Sequence, residues 1–128
     1  MTDVLNKIAA VLNELCEDSD MVGAYYGAAS PPEGASWNYF VFGRDTTEKA
    51  SNRLDLQNYY RVAIVHEDYI PEGMVPRVIA ALETAEAGPL LRSMTDAIQF
   101  NYQRKTNTDL VVEWVTIRFF CPHKRGRD

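Results

Sequence analysis

The sequence predicts an α+β fold: an antiparallel sheet of about four strands with two helices packed on one face. Three observations carry this. An apolar stripe of helical spacing opens the chain. Two runs dense in aromatic and β-branched residues, 37–44 (WNYFVFGR) and 59–65 (YYRVAIV), occupy its middle. Residues 98–104 (IQFNYQR) and 110–120 (LVVEWVTIRFF) flank a short polar turn, 105–109 (KTNTD), and read as an antiparallel hairpin. Strands and helices do not alternate as strand-helix-strand units, which points away from a parallel doubly wound sheet.

Val4, Leu5, Ile8, Val11, Leu12 and Leu15 recur at three- and four-residue spacing and predict an N-terminal helix, with Thr2 or Asp3 as its cap. The Tyr-rich segment 21–29 is a candidate strand, and 30–36 (SPPEGAS) breaks regular structure. Residues 37–44 form the next strand. The mixed-charge stretch 45–58 reads as a long polar excursion between strands, longer than a tight hairpin needs. In 59–65, Tyr60, Val62 and Ile64 share one face. A second helix is expected from about Pro76 to Ala87, with Val78, Ile79 and Leu82 as its stripe and Gly88-Pro89 as its stop. Leu12, Ile64, Leu82 and Ile117 should share one core between helices and sheet.

In the last strand, Val111, Val115, Ile117 and Phe119 take one face and Val112, Trp114 and Phe120 the other. Both faces are apolar. With helices on one side only, the second face either meets another subunit or lies under folded-over loops.

At 128 residues the chain fits one domain, 1–128, with a basic C-terminal tail at 123–128. A net charge of −5 argues against general affinity for nucleic acid. Cys16 and Cys121 are isolated, a pattern of reducing compartments rather than of a disulfide framework. Neither a signal peptide nor a membrane span is expected: Asn6, Lys7 and Asn13 interrupt the N-terminal apolar run, and no segment nears the roughly 20 apolar residues of a span. Folding in a cytoplasm follows.

No constellation is built for chemistry. His66-Glu67-Asp68 sits at a strand end, where neighbouring side chains point to opposite faces and cannot chelate together. Glu113, inside an apolar strand, is the most conspicuous carboxylate; a cross-strand pair with Arg104 or Lys105 accounts for it. Residues 23–27 lack the Lys and Ser/Thr of a phosphate-binding loop. The aromatic runs lack the interleaved Lys and Arg of a platform for single-stranded nucleic acid.

The order helix, strand 37–42, polar excursion, strand 60–65, helix after Ile70-Pro71 and closing hairpin 100–119 resembles the tail-terminator or tail-completion proteins of long-tailed bacteriophages. Head-tail joining and minor capsid proteins share much of the pattern. The resemblance implies a structural, non-enzymatic subunit with no cofactor, metal or catalytic residue. It implies a ring, typically hexameric, at the head-proximal end of the tail tube that stops tube growth and mediates head-tail joining. Its partners would be other copies of itself, the tail-tube protein, the head-connector protein and DNA passing through the lumen, with no membrane. Its place would be the tail or neck of the virion, after assembly in the bacterial host cytoplasm. The segment 45–58 and the early Pro76 depart from the family pattern. Candidate contact residues are Trp114 and Phe120 in the last strand, Arg53 and Asp55 in the polar stretch, and Lys124 and Arg125 in the tail. The segment 45–58 and the tail are expected to order on contact with a partner. The competing readings are a small-ligand-binding domain and a small enzyme.

Overall fold

The structure, a computed structural model, describes residues 3–29, 31, 34–49, 56–86, 88–94 and 97–122. Helix α1 (Val4–Glu17) is followed by β1 (Gly23–Tyr26), β2 (Tyr39–Lys49) and β3 (Leu56–Glu67). Helix α2 (Met74–Thr84), β4 (Arg92–Ser93), β5 (Asn101–Arg104) and β6 (Val111–Phe120) complete the order. The class is α+β as expected, but among the described residues the sheet has six strands rather than about four, and it is mixed rather than wholly antiparallel. Its order is β1-β2-β3-β6, with β5 and β4 sharing the far edge of β6. Strand β1 runs parallel to β2, in register Gly23↔Tyr39 to Tyr26↔Phe42.

Helix α1 starts where the Asp3 carboxylate accepts from Asn6 N–H at 2.8 Å, satisfying one of the first-turn donors that have no helical partner. It buries Val4, Lys7, Ile8, Leu12 and Leu15. Helix α2 runs from Met74 to Thr84, not from about 76 to 87. Pro76 falls in its first turn, where a missing N–H costs no helical hydrogen bond, so the helix begins before the proline rather than at it. Gly73 takes a left-handed φ of 89° at its N-cap, a conformation that a Cβ would strain.

Both helices cover one sheet face. Leu12, Ile64, Leu82 and Ile117 lie fully buried in a single cluster with Phe40, Val62, Val78, Val115 and Phe119. The terminal hairpin turns through Asn107 at φ 63°, which asparagine tolerates better than most residues.

Most of the presumed polar excursion 45–58 is strand: β2 continues through Lys49 and β3 begins at Leu56, paired Thr46↔Tyr59 to Lys49↔Leu56. Neither face of that extension is buried in β2, so its composition is that of a loop although its hydrogen bonds are those of a ladder. A register shift between Arg44 and Thr46 makes Asp45 the extra residue. Arg53 and Asp55 lie outside the described residues, as do Lys124 and Arg125. Cys16 and Cys121 are free and half-buried. Among the described residues no helix is long and apolar enough to cross a membrane.

Lys7 lies on the buried face of α1, 2 % exposed, and its ammonium donates to Ala85 O at 2.9 Å and to Pro89 O. It ties the segment after α2 to α1, and burial pushes its pKa down. Lys7→Met keeps the stem and removes the donor from both carbonyls, partly offset because an ammonium is no longer desolvated. The expected cost is about 1–2 kcal/mol, read from the urea midpoint.

Candidate functional site

The face of the sheet away from the helices carries Tyr39 and Val41 from β2, Ala63 and Val65 from β3, and Trp114 and Thr116 from β6. They come together because the registers Tyr39↔Val65 and Val41↔Ala63, with Val65↔Trp114 and Ala63↔Thr116, set them in adjacent rows. Two shallow depressions of about 310 and 170 Å3 lie over this floor and share Tyr39, Val65 and Trp114. Ala28, Ala29 and Arg61 border the larger; Trp37, Val112 and Gln103 border the smaller. Loop residues Ala28, Ala29 and Trp37 and strand residues Arg61, Gln103 and Val112 therefore rim the face without closing it. Trp114, predicted as a contact, lies at its centre and is half-buried. Tyr25 meets Tyr39 edge-on at 5.8 Å, and burial raises the Tyr39 pKa, with Tyr25 adding to it.

Each end of the face is framed by ion pairs. At one end Arg118 Nε donates to Asp45 Oδ2 at 2.7 Å and its guanidinium stacks 5.0 Å from the Tyr59 ring. Burial works against the Asp45 carboxylate, but hydrogen bonds from Thr46 and Arg118 and the charges of Arg118 and Arg61 together hold its pKa below the usual value. The bulge makes the pair, since the extra residue aims a carboxylate where a regular strand would not. Phe120, the second predicted contact on β6, packs here against Tyr59 at 6.3 Å and is half-buried.

At the other end Glu67 Oε2 accepts from Lys105 Nζ at 2.7 Å and from Trp37 N–H at 2.7 Å, while Asn38 Oδ1 accepts from Glu67 N–H. Lys105 also lies 5.6 Å over the Trp37 ring. The Lys105 hydrogen bond, opposed by burial and helped by the Trp37 N–H, lowers the Glu67 pKa. Its neighbour His66 turns the other way, Nε2 at 2.9 Å from Asp20 Oδ2 and Nδ1 at 2.8 Å from Glu67 O.

Glu113 does not pair with Arg104 or Lys105. Lys105 is committed to Glu67, and Arg104 stands opposite Val111. Instead Glu113 points to the helix side of β6, where Oε1 accepts from Ile70 N–H at 2.7 Å and the Tyr102 hydroxyl donates to the carboxylate. The cause is the loop after β3, which folds over the end of the sheet and offers its backbone first. Glu113 forms the floor of a third depression of about 390 Å3, walled by Tyr69, Pro71, Val75, Pro76 and Phe100.

Sequence reasoning placed Trp114 but missed Val41, Ala63 and Val65 as its floor. The alternation that put Tyr60, Val62 and Ile64 in the core leaves Ala63 and Val65 on the opposite face, so the signal was present. Among the described residues no group of three or more His, Cys, Asp or Glu is placed to hold a metal ion. Comparison with protein-family models and with curated protein sequences returns no match to this chain.

Proposed function

We propose that the chain is a structural subunit of a long-tailed bacteriophage or prophage, of the tail-terminator or tail-completion kind. It closes into a ring, six-fold by the family resemblance, on the head-proximal end of the tail tube, stops tube growth and mediates joining to the head. The observation that carries this reading is the sheet face of Tyr39, Val41, Ala63, Val65 and Trp114: both helices cover the opposite side, and among the described residues no helix covers this one. An apolar face of this kind favours a protein partner. Ring closure needs a heterologous contact between two different patches of one subunit. The partners are further copies, the tail-tube protein and the head-connector protein, and the place of action is the virion neck. No catalytic role is proposed.

A second reading, a small-ligand-binding domain, has the Glu113 depression in its favour, since about 390 Å3 falls in the range of small-molecule sites. A ligand binder would remain a monomer or dimer.

Ala63→Arg tests the first reading. Ala63 is half-buried on the open face, so a snorkelling arginine should change stability by no more than about 1 kcal/mol while placing a charge in the contact. The expected result is loss of rings, by native mass spectrometry of the chain alone and by electron microscopy of tube ends mixed with it. A variant that caps tubes as well as the parent, or a parent that binds neither itself nor tube ends, sinks the proposal.

A further inference from the structure

Among the described residues, no cation pairs with the Glu113 carboxylate in this depression. Glu113 is 7 % exposed, and among the described residues its contacts are Ile70 N–H and the Tyr102 hydroxyl, both neutral donors. Of the basic residues nearby, Lys105 pairs with Glu67 and Arg77 with Asp18, and Arg104 stands opposite Val111 without an ion pair to Glu113. His66, opposite Glu113 on β3, faces Asp20 and the Glu67 carbonyl. Glu72 adds a second carboxylate to the lining, against which the first turn of α2 sets only about half a positive charge. Aromatic rings open to solvent line it, Tyr69 at 65 % and Phe100 at 44 % exposed, and Tyr102, which bonds Glu113, is 64 % exposed. A buried carboxylate under aromatic walls suits a guanidinium or ammonium group, which gains the ion pair and a ring face together.

We infer that this cleft receives the basic segment around Lys124 and Arg125 of a second copy of the chain. The inference rests on the ring reading and adds to the open sheet face a second contact between neighbouring copies. Charge complementarity selects the segment: His123, Lys124, Arg125 and Arg127 crowd five positions of a chain whose net charge is −5. Reach assigns it to another copy. Gln57 Nε2 donates to Cys121 O, so the chain after β6 runs on alongside the start of β3, away from Glu113. At about 3.3 Å per residue, Cys121 lies roughly 26 Å from Glu113 along the strand. Lys124 and Arg125 follow Cys121 by so few residues that their backbone spans at most roughly 14 Å. They fall short of their own cleft. Patches at opposite ends of β6 are what a head-to-tail contact between neighbouring subunits requires.

The test titrates the isotopically labelled full chain with an acetylated peptide of residues 122–127 (PHKRGR) and follows backbone amide shifts. Ile70, whose N–H binds Glu113, should move saturably. Glu113→Gln, which still accepts from Ile70 N–H, and Phe100→Ala on the exposed wall should each weaken binding by about fivefold or more. Raising salt from about 50 to about 300 mM should weaken it further. If Glu113→Gln does not fold, Phe100→Ala and the exposed Glu72→Gln carry the comparison. An unmoved Ile70, or equal binding by the variants that fold, overturns the cleft.

A photo-crosslinker at position 100 in a mixture of heavy- and light-isotope chains tests the occupant. Heavy–light crosslinks to residues 123–128 are expected, and their absence at every concentration overturns the second-copy assignment. Rings seen by native mass spectrometry whose crosslinks land elsewhere sink this inference and leave the ring standing. A monomer whose cleft binds the peptide does the reverse for the ring, and makes the occupant another protein's basic segment.

Discussion

Phe119→Ala should lower the unfolding free energy by about 3–5 kcal/mol, the largest loss expected of any single substitution here. Phe119 is fully buried on β6, in register between Tyr60 of β3 and Ser93 of β4, and belongs to the core row that continues through Ile117 and Val115. Truncation removes the ring's transfer free energy and leaves a void that a six-stranded sheet clamped by two helices cannot collapse to fill. For a domain whose whole stability is about 5–15 kcal/mol, the variant should sit near its folding threshold at physiological temperature. The adjacent Phe120 is the internal control. It points to the other face, half-buried against Tyr59, and Phe120→Ala should cost about 1–2 kcal/mol. Urea unfolding followed by tryptophan fluorescence measures both. Equal losses would contradict the assignment of the two faces.

Glu67→Gln should cost about 1.5–3 kcal/mol at neutral pH, and the cost should vanish in acid. Glu67 and Lys105 side chains are each 21 % exposed, so solvent screens their contact only in part. The carboxylate also holds Trp37 N–H, which fastens the end of the 27–38 connection to β3. Lys105 and Trp37 hold the folded-state pKa of Glu67 below the unfolded value of about 4.3. Between those two values the unfolded chain binds the extra proton, so stability falls as pH falls. The contribution is therefore complete above the unfolded value and is lost as pH drops through the folded one. Asp45 acts in the same direction through Arg118. The informative quantity is thus the gap between parent and variant, not the parent's curve alone. Denaturant midpoints from neutral pH to about pH 3 should show that gap closing below about pH 4. A gap constant across this range would mean that the Glu67 charge is not what Lys105 and Trp37 hold.

Periodicity made most of the fold legible. Ile8, Leu12 and Leu15 declare the buried side of α1, and Tyr60, Val62 and Ile64 that of β3, because the burial period of each element is written in a few adjacent residues. Lys7 shows the limit of reading by residue type. It stands three positions after Val4, on the apolar stripe itself, yet its charge made it look like an interruption. The extension of β2 through Lys49 was missed because a ladder built by backbone groups leaves no mark in side chains that face solvent on both sides. The parallel course of β1 was equally silent, since strand direction belongs to the pairing and not to either strand.

By itself, then, the amino-acid order determined the helices, the main strands, the closing hairpin and which side of each faces the core. Those are local properties, set within a few residues by the 3.6 and 2.0 repeats of backbone geometry. The tertiary structure alone decided which partner each buried or half-buried charge received. Lys7 reaches Ala85 and Pro89, Glu113 takes Ile70 N–H in place of an arginine or lysine, and Glu67 takes both Lys105 and Trp37. Each pairing joins segments distant in sequence. A buried polar group binds whichever donor or acceptor the packed chain brings within hydrogen-bonding distance, and only the assembled fold sets that distance.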